Sequence, residues 1–240
     1  MDRARTELLI VTLARLLEGA RTIAVGASSP IPGAAALLTR ARSHGATRVL
    51  MLGSVKHNSF TDGGRELFDC AAQGRIDAFF LGGGQIDGAA NINLVGLGRY
   101  PSLTHRFPGS FGSAYLYYLI PRVILFREEH SPRVLVPKVD FVSSPGISAA
   151  GVYRRGGPVA LVTGRCVFRF ADGRFHLRST HPGENVDSIR AQTGFAFDVD
   201  ADVSETPGPD AADRALLDGR VRDEIAETYP RFAAAWAAAA

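Results

Sequence analysis

Two glycine-rich segments hold the residues best placed for chemistry. Leu81-Gly82-Gly83-Gly84-Gln85-Ile86-Asp87 closes an apolar run that starts at residue 76, so it falls at the carboxyl end of an expected strand. In open α/β sheets ligands gather outside such strand ends. Glycines there let backbone N–H groups approach a ligand, because no Cβ stands between. Gln85, Asn91 and Asn93 add neutral hydrogen-bonding groups; the same residues would also close a tight turn with Asx-type bonds. The second segment, Phe107-Pro108-Gly109-Ser110-Phe111-Gly112-Ser113, runs into an apolar helix expected over 114–120. A glycine-rich loop entering a helix N-terminus presents N–H groups to an anion or oxyanion. Capping of that helix by Ser110 or Ser113 is the competing use. Ser54 and His57, at another strand end, are the residue types of a nucleophile and its base, although a solvated loop histidine is the ordinary outcome there. His105, His130, His176 and His181 have no metal-ligand spacing, so no metal site is expected. There is no G-x-S-x-G elbow, and a dinucleotide fingerprint fails because Asp87 stands where its last glycine belongs.

Alternating elements must position these segments. Leu9, Leu13, Leu16 and Leu17 recur at helical spacing and predict an amphipathic first helix. Apolar runs at 21–27, 48–54, 76–84, 122–128 and 133–142 read as strands. Residues 28–33 read as a Pro/Gly loop, 34–44 as a helix, and 62–74 as a helix that starts at Asp62 and stops at Gly74. Residues 159–178 hold three short β runs, with Asp172-Gly173 marking a hairpin. Residues 198–214 are polar and read as a loop; one or two helices follow, with a frayed end. Continuous apolar strands alternating with helices indicate an α/β protein. Its expected architecture is an open, mostly parallel sheet covered by helices, with a small antiparallel element in the last third. A single domain over 1–240 is expected.

Composition narrows the function classes. Of 240 residues, 46% are hydrophobic and 21% charged, as in globular proteins. Two cysteines, Cys70 and Cys166, exclude a disulfide scaffold and fit a reducing, cytoplasmic setting. The net charge of +3 is spread along the chain without Lys/Arg runs among aromatics, so no nucleic-acid partner is expected. No run of roughly 18 apolar residues predicts a membrane span. Arg15 and Glu18 break the early apolar stretch that would otherwise resemble a signal peptide.

Four segments together carry a family resemblance. LGGGQIDGAANIN resembles the L-G-x-x-Q-I/V-D-x-x-G-N-I/L-N signature of class I CoA-transferase β subunits of the glutaconate CoA-transferase type. RFPGSFGS is similar to the family's P-G-x-G-G-x loop, and KVDFVSSPG to its V-D-F/Y-x-T/S-S-P-G segment. HPGENVDSIRAQTGF resembles the closing H-P-G-x-S/T-V motif that ends in T-G-F. The four occur in the family's order.

The resemblance implies the class I CoA-transferase fold, acyl-CoA substrates and a separately encoded, homologous α-type partner, giving an α2β2 assembly. Coenzyme A enters as part of the substrate, and no permanently bound cofactor is implied. In the transferases a β-subunit glutamate attacks the thioester and becomes glutamyl-CoA, while the glycine-rich loop donates N–H groups to the oxyanion. Carried over, that loop is Gly109, Ser110, Phe111, Gly112 and Ser113, with Phe111 where the family usually has Gly. Gly82, Gly83, Gln85 and Asn91 are the companion CoA-binding candidates, and Ser54 and His57 the catalytic ones. The glutamate position, at the end of strand 48–54, is held by Gly53. One branch of the superfamily lacks this glutamate and hydrolyses carbon–carbon bonds in ring-containing acyl-CoAs, with the acid–base carboxylate on the partner. The expectation is therefore a β-type subunit for C–C hydrolysis or ring opening. A true CoA-transferase and a non-catalytic partner subunit are the alternatives.

Overall fold

The structure is a computed structural model that describes residues 1–239; the last residue of the expected C-terminal helix, 240, lies outside them. In chain order the elements are α1 (Arg3–Leu16), β1 (Thr22–Val25), α2 (Pro30–Arg42), β2 (Arg48–Met51), α3 (Gly63–Ala72), β3 (Ala78–Leu81), β4 (Gln85–Ile86), β5 (Ile92–Asn93), β6 (Gly96–Arg99) and β7 (Ser102–Arg106). There follow α4 (Ser113–Leu119), β8 (Arg122–Arg127), β9 (Pro158–Thr163), β10 (Cys166–Ala171), β11 (Arg174–Thr180), α5 (Val186–Gln192), β12 (Asp198–Glu205), α6 (Ala211–Leu216), a π-helical turn (Leu217–Val221), α7 (Arg222–Thr228) and α8 (Pro230–Ala238). The chain divides into two compact units, Met1–Phe80 with the stretch from Pro207 onward, and Leu81–Thr206.

In the first unit β1 is central and pairs in parallel with β2, Thr22 opposite Arg48 through Val25 opposite Met51, and with β3. Ile23, Ala24 and Val25 are all buried, as an apolar run covered on both faces requires. The expected helix α1 forms, but it is not amphipathic. Every residue from Thr6 to Ala14 is buried, so packing surrounds the helix instead of lining one stripe. Buried Glu7 is reconciled with this setting by Arg3 Nε at 2.7 Å and Trp236 Nε1 at 3.3 Å. Helix α2 begins at Pro30, inside the stretch read as a loop, because proline suits a first helical turn whose N–H has no partner anyway. Strand β2 ends at Met51, not at 54: Ser54 N–H turns back to Met51 O at 3.1 Å. At the far end, buried Trp236 anchors α8 where fraying was expected.

In the second unit β8 and β9 run parallel, β9, β10 and β11 antiparallel, and β12 parallel to β11. The Asp172-Gly173 hairpin forms, with φ of +54° and +74°. Two short ribbons, β4–β5 and β6–β7, stand apart from this sheet. The α/β class and the antiparallel element of the last third are thus as expected. Two strand expectations need correction. Residues 133–142 form no strand: Val134 O and Val136 N bond Ile86 at 2.8 and 2.9 Å, and then Pro137, with no N–H, stops the ladder. Residues 198–205, read as loop, form edge strand β12. Its Asp198, Asp200 and Asp202 meet Arg174, Arg169 and Arg178 at 3.3, 3.0 and 2.5 Å, so cross-strand charge pairing supplies what apolar patterning does not. Phe168 and Phe175 are buried and meet Phe197 and Phe195 at centroid distances of 5.0 and 5.3 Å.

Candidate functional site

The segment after β3 is closed by its own side chains. In the β4–β5 ribbon Gln85 faces Asn93. Gln85 Oε1 accepts from Asn93 Nδ2 at 2.8 Å and from Asp140 N at 2.9 Å. Asn91 donates from Nδ2 to Asp87 at 3.1 Å and accepts from Gly146 N at 3.1 Å. Asp87 also accepts from Ala89 N and Asn91 N, each at 3.1 Å, which closes the Asx-type turn. The glycines here are set by crowding. A Cβ on Gly82 would come to 3.0 Å from Phe126 O, and one on Gly83 to 2.7 Å from both Gln85 O and Ile92 Cγ2. A Cβ on Gly84 would overlap the Phe107 ring. In the structure Gln85 and Asn91, the ligand-contact candidates of the sequence, are both engaged by internal hydrogen bonds.

The loop before α4 is different. Nothing lies within 4 Å of a Cβ built on Gly109, whose φ is +111°. Phe111 is 78% exposed, and its φ of +43° is the left-handed backbone that favours glycine. Gly112 is the N-cap of α4, a seven-residue helix. Ser113 turns inward: its N–H bonds Ser110 O at 2.8 Å, and its hydroxyl bonds buried Ser144 Oγ at 2.8 Å. The open part of this loop is thus Gly109 to Gly112, and Ser113 is a structural link to the segment around Ser144.

The third candidate, in the first unit, is the turn after β2. Gly53 has φ +89° and open space around a Cβ. Ser54 is buried, and its hydroxyl donates to Glu227 Oε2 at 2.6 Å, not to a histidine. His57 meets Ser54 Oγ only through its backbone N–H, at 2.9 Å. The nucleophile–base pair suggested by the sequence is therefore not formed. Glu227, on α7, also accepts from Val55 N at 2.7 Å and Thr228 Oγ1 at 2.7 Å. Burial opposes its ionisation, but these bonds outweigh it and hold the carboxyl at about 2. His57 Nε2 lies 3.4 Å from Glu224 Oε2, and Glu224 in turn meets Arg40 at 3.2 Å and Arg220 at 2.7 Å. Burial, aided by Arg40 and Lys56 against Glu224 and Glu227, keeps the His57 ring below its ordinary value and so neutral. Glu227, Glu224 and Arg40 were missed by sequence reasoning. Glu227 lies 173 residues from Ser54, and no local spacing signals the pairing.

The remaining histidines of interest are structural. His130 lies between Thr163 Oγ1 at 2.8 Å and Thr193 Oγ1 at 3.0 Å, and burial pushes it down to about 4. His181 Nε2 donates to Thr163 O at 3.0 Å. Among the described residues no group of three or more His, Cys, Asp or Glu is arranged to hold a metal ion. None of their helices is long and apolar enough to cross a membrane.

The profile of a protein family described as coenzyme A transferase matches residues 5–192. The chain belongs to this family. Within it, the chain is 33% identical over 144 residues to the B-type subunit of 3-oxoadipate CoA-transferase from Pseudomonas knackmussii, a match covering 57% of this chain and 55% of that protein. It is 32% identical over 155 residues to the B-type subunit of glutaconate CoA-transferase from Acidaminococcus fermentans, covering 61% of this chain and 56% of that protein. The matches thus span little more than half the length of these relatives. A crystal structure of the decarboxylase AibA/AibB is 26% identical, with a TM-score of 0.78 and 100% of both chains covered. In this member of the family, three of the four recognised segments interlock. Ser144 and Gly146 of SSPG hold Ser113 and Asn91, and Asp140 N holds Gln85. Much of the motif set is thus the framework that presents the open loop.

Proposed function

We propose that this chain is the B-type subunit of a two-chain enzyme that binds an acyl-CoA thioester and hydrolyses a carbon–carbon bond of its acyl group, opening a ring where the bond lies in one. The observation that carries the reading is Gly53. The family resemblance puts the transferase's nucleophilic glutamate there, and this chain offers a hydrogen atom at φ +89° in open space. The neighbouring carboxylate, Glu227, is no substitute. Its two oxygens are engaged by Ser54, Val55 and Thr228, and a carboxyl held at about 2 is weakly basic and a poor nucleophile. The loop from Gly109 to Gly112 takes the oxyanion role: backbone N–H groups aimed at the thioester oxygen stabilise charge that develops on it. The acid–base carboxylate for the water then comes from an α-type partner, in an α2β2 assembly in the cytoplasm. Likeness to AibA/AibB supports this, since a decarboxylase also breaks a carbon–carbon bond and two chains are named.

CoA transfer between carboxylic acids is the second reading, favoured by the names of the two CoA-transferase relatives. Product analysis separates the two. With the co-purified partner, ¹⁸O-labelled water and acetate or succinate as acceptor, the proposed enzyme yields a labelled product still joined to CoA. Rapid appearance of acetyl-CoA or succinyl-CoA would establish transfer instead. No turnover of any acyl-CoA, with a partner that lacks a catalytic carboxylate, would make the chain a non-catalytic subunit.

A further inference from the structure

Residues 107–120 contain two phenylalanines, three tyrosines and no charged side chain. Phe111, within this stretch, carries two costs at once. Its φ of +43° is an outlier for a bulky residue, and its ring is 78% exposed. One turn on, Tyr115 is 47% exposed as well. Gly109, two residues earlier, leaves the space beside it open.

We propose that Phe111 is the specificity-determining residue of this loop. Its ring forms an apolar wall that packs against the acyl group. It thereby selects CoA thioesters of bulky, mainly apolar, ring-sized acids over those of short acids such as acetic or succinic. The inference rests on the reading that the loop receives the thioester. An apolar ring laid on an exposed phenylalanine gains from area burial and from aromatic packing. Losing that contact corresponds to about ten- to hundredfold in affinity.

The test uses the full chain co-purified with its partner, and two non-reactive thioether probes, S-(cyclohexylmethyl)-CoA and S-ethyl-CoA. Equilibrium binding is measured for wild type, Phe111→Ala, which removes the ring and keeps a Cβ, and Phe111→Gly, which also relieves the backbone. Both variants are expected to lose about ten- to hundredfold on the cyclohexylmethyl probe and less than threefold on the ethyl probe. Phe111→Gly is expected to melt at the same temperature or higher. Equal losses on the two probes, or no loss on either, would overturn the assignment of Phe111 while leaving the acyl-CoA reading intact. A wild-type complex that binds neither probe would overturn the acyl-CoA reading, and the assignment falls with it. Should Phe111→Gly not fold, Phe111→Ala and Phe111→Leu decide the same question.

Discussion

The two glycine-rich segments of the second unit look alike in composition and are opposite in physics. After β3, glycine is required by neighbours: a Cβ at 83 would lie 2.7 Å from Gln85 O and from Ile92. Before α4, glycine answers to backbone conformation alone, since nothing lies within 4 Å of a Cβ at 109. In the first segment the protein's own neighbours exclude a Cβ, whereas the second leaves open space beside its backbone. The presence of glycine reports a constraint; only the neighbours say whether that constraint comes from packing or from access.

Substitutions can break this contrast. Gly83→Ala should have the largest effect, an overpacking cost of about 1–3 kcal/mol with a matching fall in urea midpoint. Gly109→Ala should cost only about 1 kcal/mol, from its φ of +111°, yet lower kcat with the partner present. If Gly109→Ala destabilises as much as Gly83→Ala and leaves turnover per folded molecule unchanged, the loop is framework too. The turn after β2 gives the smallest effect and sharpens the comparison, because it is held by charge. Glu227→Ala should cost about 1 kcal/mol or less, given solvent screening at a part-exposed carboxylate. The folded carboxyl, at about 2, lies below its ordinary 4.5. Its stabilisation is therefore present above pH 4.5 and lost as pH falls towards 2. Thermal melts of wild type against Glu227→Gln across that window should converge at the acid end; curves that stay parallel would contradict the role given to Glu227.

How much of this was legible in the sequence depended on the range of the interactions. The α/β alternation, β1, β8 and the Asp172-Gly173 hairpin follow from local apolar runs and turn chemistry, and they formed as expected. Strand β12 did not announce itself. Its aspartates are poor strand formers alone, and their arginine partners lie 24 to 31 residues away. The stretch 133–142 misled for the converse reason: its apolar residues are buried in a loop whose backbone bonds go to Ile86. At the candidate site, both glycine loops and Gly53 stand out in the sequence by local composition and resemblance. Sequence reasoning could not separate crowded from open glycines, and it paired Ser54 with the nearby His57 when the hydroxyl bonds Glu227 on α7.

The central claim is that this chain provides an acyl-CoA site without a nucleophilic carboxylate. Intact-mass spectrometry of the subunit tests it most directly, with the complex incubated with a turning-over acyl-CoA and quenched with borohydride or hydroxylamine. The account predicts an unmodified chain and no loss of activity assignable to it, because Gly53 carries no carboxylate and Glu227 is engaged by the turn. A CoA adduct, or its reduced or hydroxamate remnant, on any carboxylate of this chain would contradict the account and restore covalent CoA transfer.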